Sequence, residues 1–139
     1  MTDEATPGDE ITVCIERDSD VVTARQKGRE LAAQAGLSGS DLTVVATAIS
    51  EVARNIIAYA DQGEIILALA EKAGRRGVLV VARDDGPGIA DIEQAMQDGF
   101  STGKSLGLGL PGARRLMDEF EIVSEPGRGV TITMRKWRR

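Results

Sequence analysis

Two pairs of short aliphatic runs, each pair joined by a few turn residues, constrain the fold of this 139-residue chain more than any other feature. Residues 64–70 (EIILALA) and 78–83 (VLVVAR) flank EKAGRRG, and EFEIVSE and VTITMRKW flank the turn PGRG at 126–129. Glycine and charged residues between two such runs are typical of hairpins. The sequence therefore predicts two hairpins, and not the strict strand–helix alternation of a doubly wound parallel sheet.

One strand and two helices precede the first hairpin. Residues 11–16 (ITVCIE) form a predicted strand, and a helix follows from a cap at Asp18 or Ser19 to a stop at Gly36. The next helix, over residues 41–60, has apolar side chains at spacings of three and four, namely Leu42, Val45, Ile49, Val52 and Ile56. Such a stripe indicates a helix with one side in the core.

Two more helical segments separate the hairpins, a short one around residues 92–97 and a longer one over 108–118, with a loop at 99–105 between them. The resulting order predicts an α+β fold, a two-layer α/β sandwich with a mixed sheet and its helices on one face. The chain length suits a single domain over residues 10–139, after a flexible leader at 1–9.

Composition narrows the function classes. One cysteine, Cys14, and no histidine exclude an intramolecular disulfide and argue against Cys/His zinc sites and Ser-His-Asp catalysis. A net charge of −5 argues against general nucleic-acid binding, and we interpret the basic terminal residues Arg135, Lys136, Arg138 and Arg139 as a solubilising chain end. With no secretion signal and no apolar run approaching membrane-spanning length, we expect a cytoplasmic protein without a membrane partner.

The segment STGKSLGLGLPGARR, residues 101–115, has the composition of a phosphate-binding loop. Gly107, Gly109 and Gly112 match the dinucleotide fingerprint G-x-G-x-x-G, but no strand precedes them and no βαβ unit surrounds them. GFSTGKS resembles a Walker A loop, with three instead of four residues between its glycines, and it also lacks a preceding strand. Both interpretations are therefore disfavoured.

The segment SEVARN places Glu51 and Asn55 four residues apart, on one face of the second helix. Taken alone, an exposed polar pair is the simpler interpretation. Both residues flank the apolar stripe, however, so they can line a cleft at the edge of the core. A carboxylate there can accept or orient a proton, and an amide oxygen can bind Mg²⁺.

Two loops can supply the rest of a nucleotide site. DDGPG follows a strand and has turn composition, yet Asp84 can accept a hydrogen bond from the adenine amine, while Gly86 and Gly88 allow close approach to the base. In the second loop, amides at the start of the 108–118 helix can face phosphates. The residues expected around the phosphates are Ser101, Thr102, Gly103, Lys104, Gly107, Leu108, Gly109 and Leu110.

In this order and spacing, SEVARN, DDGPG and GFSTGKSLGLGL resemble the N-box, G1 and G2 motifs of the GHKL ATPases. This group shares the Bergerat fold and includes gyrase, MutL and the histidine kinases, and the resemblance covers nearly the whole chain. Within the group, AMQDGFSTGKSLGLGLPGARRLMDEFEIVSE is most similar to the small serine/threonine kinases of bacterial sigma-factor partner switching, the switch kinases of the stressosome among them.

The resemblance implies an ATP- and Mg²⁺-dependent kinase that phosphorylates a STAS-domain antagonist and, once released, binds a PP2C-type phosphatase or a sigma factor. It implies Glu51 as general base, Asn55 as the Mg²⁺ ligand, Asp84 as the adenine contact and Lys104 as a phosphate contact. The alternatives are an anti-sigma factor or a nucleotide-dependent binding module without catalysis, and, less favoured, a free-standing ATPase.

The chain departs from the family near its end. Members often have Gly-Thr where this chain has Gly129-Val130, so the usual threonine beside adenine is missing. Thr131 is one residue further on and, in a strand, faces the opposite way. Thr131 therefore stays as the weakest of the predicted nucleotide contacts.

Overall fold

The computed structural model describes residues 10–88, 96 and 109–139, which form five strands and three helices. The predicted leader, the short helix around 92–97 and the loop at 99–105 therefore lie outside the described residues, Met96 excepted. The elements are β1 (Ile11–Ile15), α1 (Asp18–Gln34), α2 (Ser40–Ala60), β2 (Gly63–Lys72), β3 (Arg75–Asp84), α3 (Gly109–Leu116), β4 (Glu119–Glu125) and β5 (Gly129–Trp137).

The five strands form one sheet in the order β1-β2-β3-β5-β4, and every neighbouring pair is antiparallel. The predicted mixed sheet is therefore wrong in this respect. Two successive helices return the chain to the end of the sheet where β1 finishes, so β2 runs against β1. Strands β3 and β4 do run in the same direction, but β5 lies between them and is antiparallel to both.

Local sequence accounts for two element boundaries. The β2–β3 hairpin is longer than predicted because Ala73 and Gly74, both with positive φ, form a two-residue turn that lets Lys72 pair with Arg75. Helix α1 begins at Asp18, and the Asp20 carboxylate accepts the amides of residues 16 and 17. The helix is capped at Arg17, so the predicted caps at Asp18 and Ser19 lie one and two residues too late, inside the helix.

One face of the sheet packs on α1 and α2, which confirms the predicted two-layer α+β architecture. Alternate residues of the central strands point into this layer and are buried, including Val78 and Val80 of β3 and Ile132 and Met134 of β5. Gly28 of α1 leaves room for the Ile49 side chain of α2, so the helices approach closely. The core is aliphatic, as a chain with 3% aromatic residues requires.

Helix α2 is 21 residues long and apolar enough, by length and composition, to cross a membrane. The expectation that no apolar run approaches that length is therefore wrong. More than half of its most apolar window, 56%, is buried inside the fold, where it packs against α1 and the sheet. The core helix of a globular domain passes the same test, because its stripe is buried in protein.

The basic residues near the chain end are paired within the fold. Lys136 is only 5% exposed, and its Nζ donates to the Leu116 carbonyl at the end of α3, at 3.1 Å. Arg139 and Arg135 contact the carboxylates of Asp118 and Glu119. Lys136 and Arg139 thus link the chain end to the end of α3 and the residue Asp118, and Arg135 links β5 to β4, so their role is structural rather than only solubilising.

Candidate nucleotide site

Helix α2 connects the two ends of the candidate site. Glu51 lies in the middle of the helix, Asn55 one turn further on, and Ala60 at its end. Nine residues separate Glu51 from Ala60, or about 13 Å along the helix axis. The segment from Asp84 to Gly88 lies against the end of α2, and the start of α3 lies against its middle.

Asp84 is the last residue of β3, and its side chain is turned towards the helical layer. It is 7% exposed, and its Oδ1 accepts the backbone N–H of Gly86 at 2.9 Å and that of Val130 at 3.3 Å. Among the described residues no group donates to Oδ2. One carboxylate oxygen is therefore fixed by two backbone amides, and the other can accept a hydrogen bond from a ligand.

Glycines allow the chain segments around Asp84 to approach one another. A Cβ on Gly86 would lie 2.6 Å from the Ala60 Cβ, and one on Gly88 would lie 2.7 Å from the Glu125 carbonyl oxygen. A Cβ on Gly129, where φ is +105°, would overlap the Asp84 carbonyl oxygen. Each of these glycines is required by close backbone approach.

The turn between β4 and β5 is fastened to the same loop. The Gly127 N–H donates to the Pro87 carbonyl at 2.8 Å, next to the Val130 bond to Asp84. Gly129 was not among the predicted site residues, because the sequence indicates only a turn at 126–129. The one available signal was that Gly129-Val130 occupies the place where family members often have Gly-Thr.

Glu51 is 5% exposed although it is a charged residue on a helix. Its Oε1 accepts the backbone N–H of Gly109, the first residue of α3, at 3.2 Å. Its Oε2 lies 3.6 Å from Nη1 of Arg54, whose side chain is 48% exposed. The buried carboxylate therefore faces the beginning of the helix that follows the glycine-rich segment.

Asn55 is half-buried beside Glu51 on α2. Its side-chain amide makes no hydrogen bond within the part of the chain that the structure describes. The described residues also contain no group of three or more acidic, Cys or His side chains able to hold a metal ion. An Mg²⁺ ion at Asn55 would thus take most of its ligands from phosphate oxygens and water, as Mg²⁺ commonly does.

The structure separates Thr131 from Asp84. Thr131 pairs with Arg83 and Val123, on the sheet face that the helices do not cover. Val130 is 3% exposed and faces the core beside Asp84. It is the residue at which family members often carry threonine. Thr131 is therefore not brought together with the other predicted contacts.

The predicted phosphate contacts divide into two groups. Gly109 and Leu110 begin α3, and Leu110 is buried in the core, so only its backbone is available to a ligand. The other predicted phosphate contacts lie outside the described residues, namely Ser101, Thr102, Gly103, Lys104, Gly107 and Leu108.

An open cavity of about 470 Å³ adjoins Asp84 at the ends of β1, β2, β3 and α2. Four acidic side chains line it, and Arg83, its one basic residue, is paired with Glu64 at 2.5 Å; the acidic residues are Glu16, Glu64, Asp84 and Asp85. An acidic lining repels a triphosphate. This cavity is therefore not a candidate phosphate site, and Cys14, Glu64 and Arg83 of its lining pair on the sheet face that the helices do not cover, away from Glu51.

Comparison with known proteins agrees with this arrangement. The family model of the histidine kinase-like ATPase domain matches residues 15–136. The chain is 47% identical over 131 residues to the serine/threonine-protein kinase RsbT of Bacillus subtilis, covering 94% of this chain and 98% of that protein. It is 31% identical over 118 residues to an anti-sigma F factor of Thermoanaerobacter, covering 82% of each.

The fold also occurs in a crystal structure of the RsbU and RsbW domains of a Mycobacterium tuberculosis protein, with a TM-score of 0.60 and 24% identity. The match covers 96% of this chain and 33% of that longer one. These findings confirm the resemblance inferred from the SEVARN, DDGPG and glycine-rich segments. The chain belongs to the family of histidine kinase-like ATPase domains, in the branch that contains the serine/threonine kinase RsbT and the anti-sigma F factors.

Proposed function

We propose that this protein is an ATP- and Mg²⁺-dependent serine/threonine kinase of a partner-switching pathway. The observation that carries the proposal is the buried Glu51 carboxylate, which faces the start of α3 on the same helix whose end lies against the Asp84 loop. A carboxylate placed beside the phosphate end of a bound nucleotide can act as a general base towards an acceptor hydroxyl.

The base of ATP is assigned to the Asp84 end. Asp84 Oδ2 accepts the adenine amine there, since Oδ1 is already used by the amides of Gly86 and Val130. Gly86 and Gly88 have no side chain, so the backbone of this loop can lie close to the flat ring of the base. Val130, in the place of the usual threonine, offers an apolar surface to the base.

The phosphates are assigned to the middle of α2. Glu51 accepts the proton of the acceptor hydroxyl as that oxygen bonds to the γ-phosphorus and the bond from the γ-phosphorus to the bridging oxygen breaks, so that ADP leaves. Asn55 would offer its amide oxygen as the protein ligand for Mg²⁺. When bound, Mg²⁺ supplies neutralisation of the phosphate charge. The Leu110 amide and the residues of the glycine-rich segment, including Lys104, contact the phosphate oxygens, and Gly109 lies beside them with its N–H donated to Glu51 Oε1.

The proposed protein substrate is a STAS-domain antagonist, modified on serine or threonine. Once released from it, the kinase binds a PP2C-type phosphatase. The proposal rests on the 47% identity to RsbT, which spans nearly all of both chains. We place the protein in the cytoplasm, with residues 10–139 as its single ATP-binding domain and without a nucleic-acid or membrane partner.

Phosphotransfer to the source organism's STAS-domain proteins, purified one by one, tests the proposal. Incubation with ATP and Mg²⁺ should yield one phosphoserine or phosphothreonine per acceptor, identified by mass spectrometry. Glu51→Ala should abolish the product, and Glu30→Ala, at an exposed position on α1, should not. Absence of product from the unaltered protein, or an undiminished yield from Glu51→Ala, would refute the kinase assignment.

An anti-sigma role is the second candidate, favoured by the 31% identity to anti-sigma F factors. In that case the main binding partner is a sigma factor rather than a phosphatase. Calorimetric titration of the protein, with ATP present, against the sigma factors and against the N-terminal region of a PP2C-type phosphatase separates the two. Binding to the phosphatase region alone supports the first assignment, and binding to a sigma factor alone supports the second.

A further inference from the structure

We infer that Arg54 is a positioning residue for Glu51, and that it orients the second oxygen of the catalytic carboxylate towards the acceptor hydroxyl. This inference rests on the proposed kinase function. It concerns a residue that has no place among the predicted ATP contacts, because its side chain points out of the core.

The first observation is that the two oxygens of Glu51 have different partners. Oε1 accepts the N–H of Gly109 at 3.2 Å, and Oε2 lies 3.6 Å from Nη1 of Arg54. Within the described residues these are the two groups that form a hydrogen bond or an ion pair with the carboxylate. The backbone amide fixes one oxygen, so the guanidinium decides where the other oxygen points.

The second observation is the contrast in burial along this part of α2. Every residue from 48 to 53 is buried, and Arg54 is the first exposed side chain after them. Glu51 is 5% exposed, whereas the Arg54 side chain is 48% exposed. The guanidinium therefore lies on the solvent side of the carboxylate, where an acceptor protein must approach.

The contact between Arg54 and Glu51 Oε2 is loose. An N···O separation of 3.6 Å is too long for a good hydrogen bond, so Arg54 acts on Glu51 mainly through its charge. A half-exposed ion pair contributes little to the free energy of unfolding. Arg54 can thus leave Oε2 accessible to the acceptor hydroxyl, while its positive charge keeps the carboxylate turned towards the mouth of the site.

Steady-state kinetics of Arg54→Gln and Arg54→Lys test the inference. Arg54→Gln should lower kcat by about tenfold, because misplacing a reacting group costs rate more than binding, and should leave KM for ATP within about twofold. Arg54→Lys keeps a positive charge and should recover most of the lost rate. Arg29→Gln is the matched control, since Arg29 contacts Thr43, about 12 Å before Glu51 along the same helix.

An unchanged kcat for Arg54→Gln would overturn the inference. A raised KM for ATP at constant kcat would also overturn it, because Arg54 would then bind nucleotide. A failure of Arg54→Lys to exceed Arg54→Gln would exclude positioning by charge. If the unaltered protein transfers no phosphate, the proposed function itself has failed, and the second readout then decides on Arg54.

That readout is hydrogen exchange of the Gly109 amide, measured by NMR on the ATP-free protein. If Arg54 holds the Glu51 carboxylate in place, the Gly109 N–H bond to Oε1 weakens in Arg54→Gln, and its amide exchanges several-fold faster. Arg54→Lys and Arg29→Gln should match the unaltered protein. Equal exchange rates in all four proteins would show that Arg54 does not position Glu51, whatever the activity.

Discussion

The two ends of the candidate site differ in the groups that build them. The surroundings of Asp84 are built mainly from backbone amides and glycines. Two N–H groups donate to Oδ1, and Gly86, Gly88 and Gly129 are required by close approach of other chain segments. Around Glu51, side chains of α2 meet a single backbone amide of α3.

The two ends are therefore suited to different parts of a nucleotide. An end made of fixed backbone is preorganised for a rigid, flat group such as a base. An end made of side chains, with the start of α3 beside it, suits a reacting group whose surroundings change during a reaction.

The largest expected effect follows from Glu51→Gln, which removes the base and keeps an oxygen for the Gly109 amide. Phosphotransfer in a single turnover should fall about 10²- to 10⁴-fold, the range of general-base removal. The melting temperature should stay close to that of the unaltered protein. A rate above a tenth of normal would contradict the role of Glu51, and Glu30→Gln serves as the exposed control.

Gly129→Ala should give the largest loss of stability at the Asp84 end. The added Cβ meets the Asp84 carbonyl oxygen, and φ is +105°. We expect a loss of about 3 kcal/mol in the free energy of unfolding, from backbone strain and overpacking together. Urea unfolding measures it.

Gly74→Ala is the matched control for this prediction. Gly74 also has positive φ, +80°, but no atom lies within 4 Å of its added Cβ. It should therefore lose only the conformational part, about 1 kcal/mol. Equal losses in the two variants would show that close approach at Gly129 does not matter.

Asp84→Asn should change the protein's preference from ATP to ITP. The unaltered protein should bind ATP at least tenfold more tightly than ITP, which carries a carbonyl oxygen in place of the amine, because a hydrogen bond to a charged group contributes about 1.5–3 kcal/mol. The asparagine oxygen can still accept the amides of Gly86 and Val130, while its NH₂ group donates to the base. Competition titrations that find the same ATP/ITP ratio in both proteins would exclude Asp84 as the adenine contact.

Val130→Thr should give the smallest effect. It restores the hydroxyl that family members often carry beside Asp84, and one neutral hydrogen bond would tighten ATP binding about threefold. Fluorescence titration with a labelled nucleotide measures the change. Thr131→Val, on the other sheet face, should leave ATP affinity unchanged. A larger change in ATP affinity for Thr131→Val than for Val130→Thr would contradict the placement of the base beside Val130.

Sequence reasoning predicted the helices and strands because their apolar periodicity is local. It missed the antiparallel order of the sheet, since the insertion of β5 between β3 and β4 depends on which edges meet in three dimensions. The α+β class followed from the order of strands and helices, and the apolar stripe of the second helix indicated that Glu51 and Asn55 lie at the edge of the core.

The candidate site shows the same limit. Asp84, Gly86 and Gly88 could be predicted as candidate site residues because DDGPG is contiguous. Gly129 and Arg54 were not found, because each acquires its role from a neighbour that the sequence alone does not identify, namely the Asp84 carbonyl and the outer oxygen of Glu51. A residue whose importance is a close approach cannot be distinguished from any other turn or surface residue before the packing is known.

Calorimetric titration of ATP with Mg²⁺ into Glu51→Gln and Asp84→Asn, side by side with the unaltered protein, tests the division of the site most directly. The account predicts that Glu51→Gln binds ATP within about threefold of normal, whereas Asp84→Asn binds at least about tenfold more weakly. Equal weakening in the two variants, or weakening confined to Glu51→Gln, would contradict it.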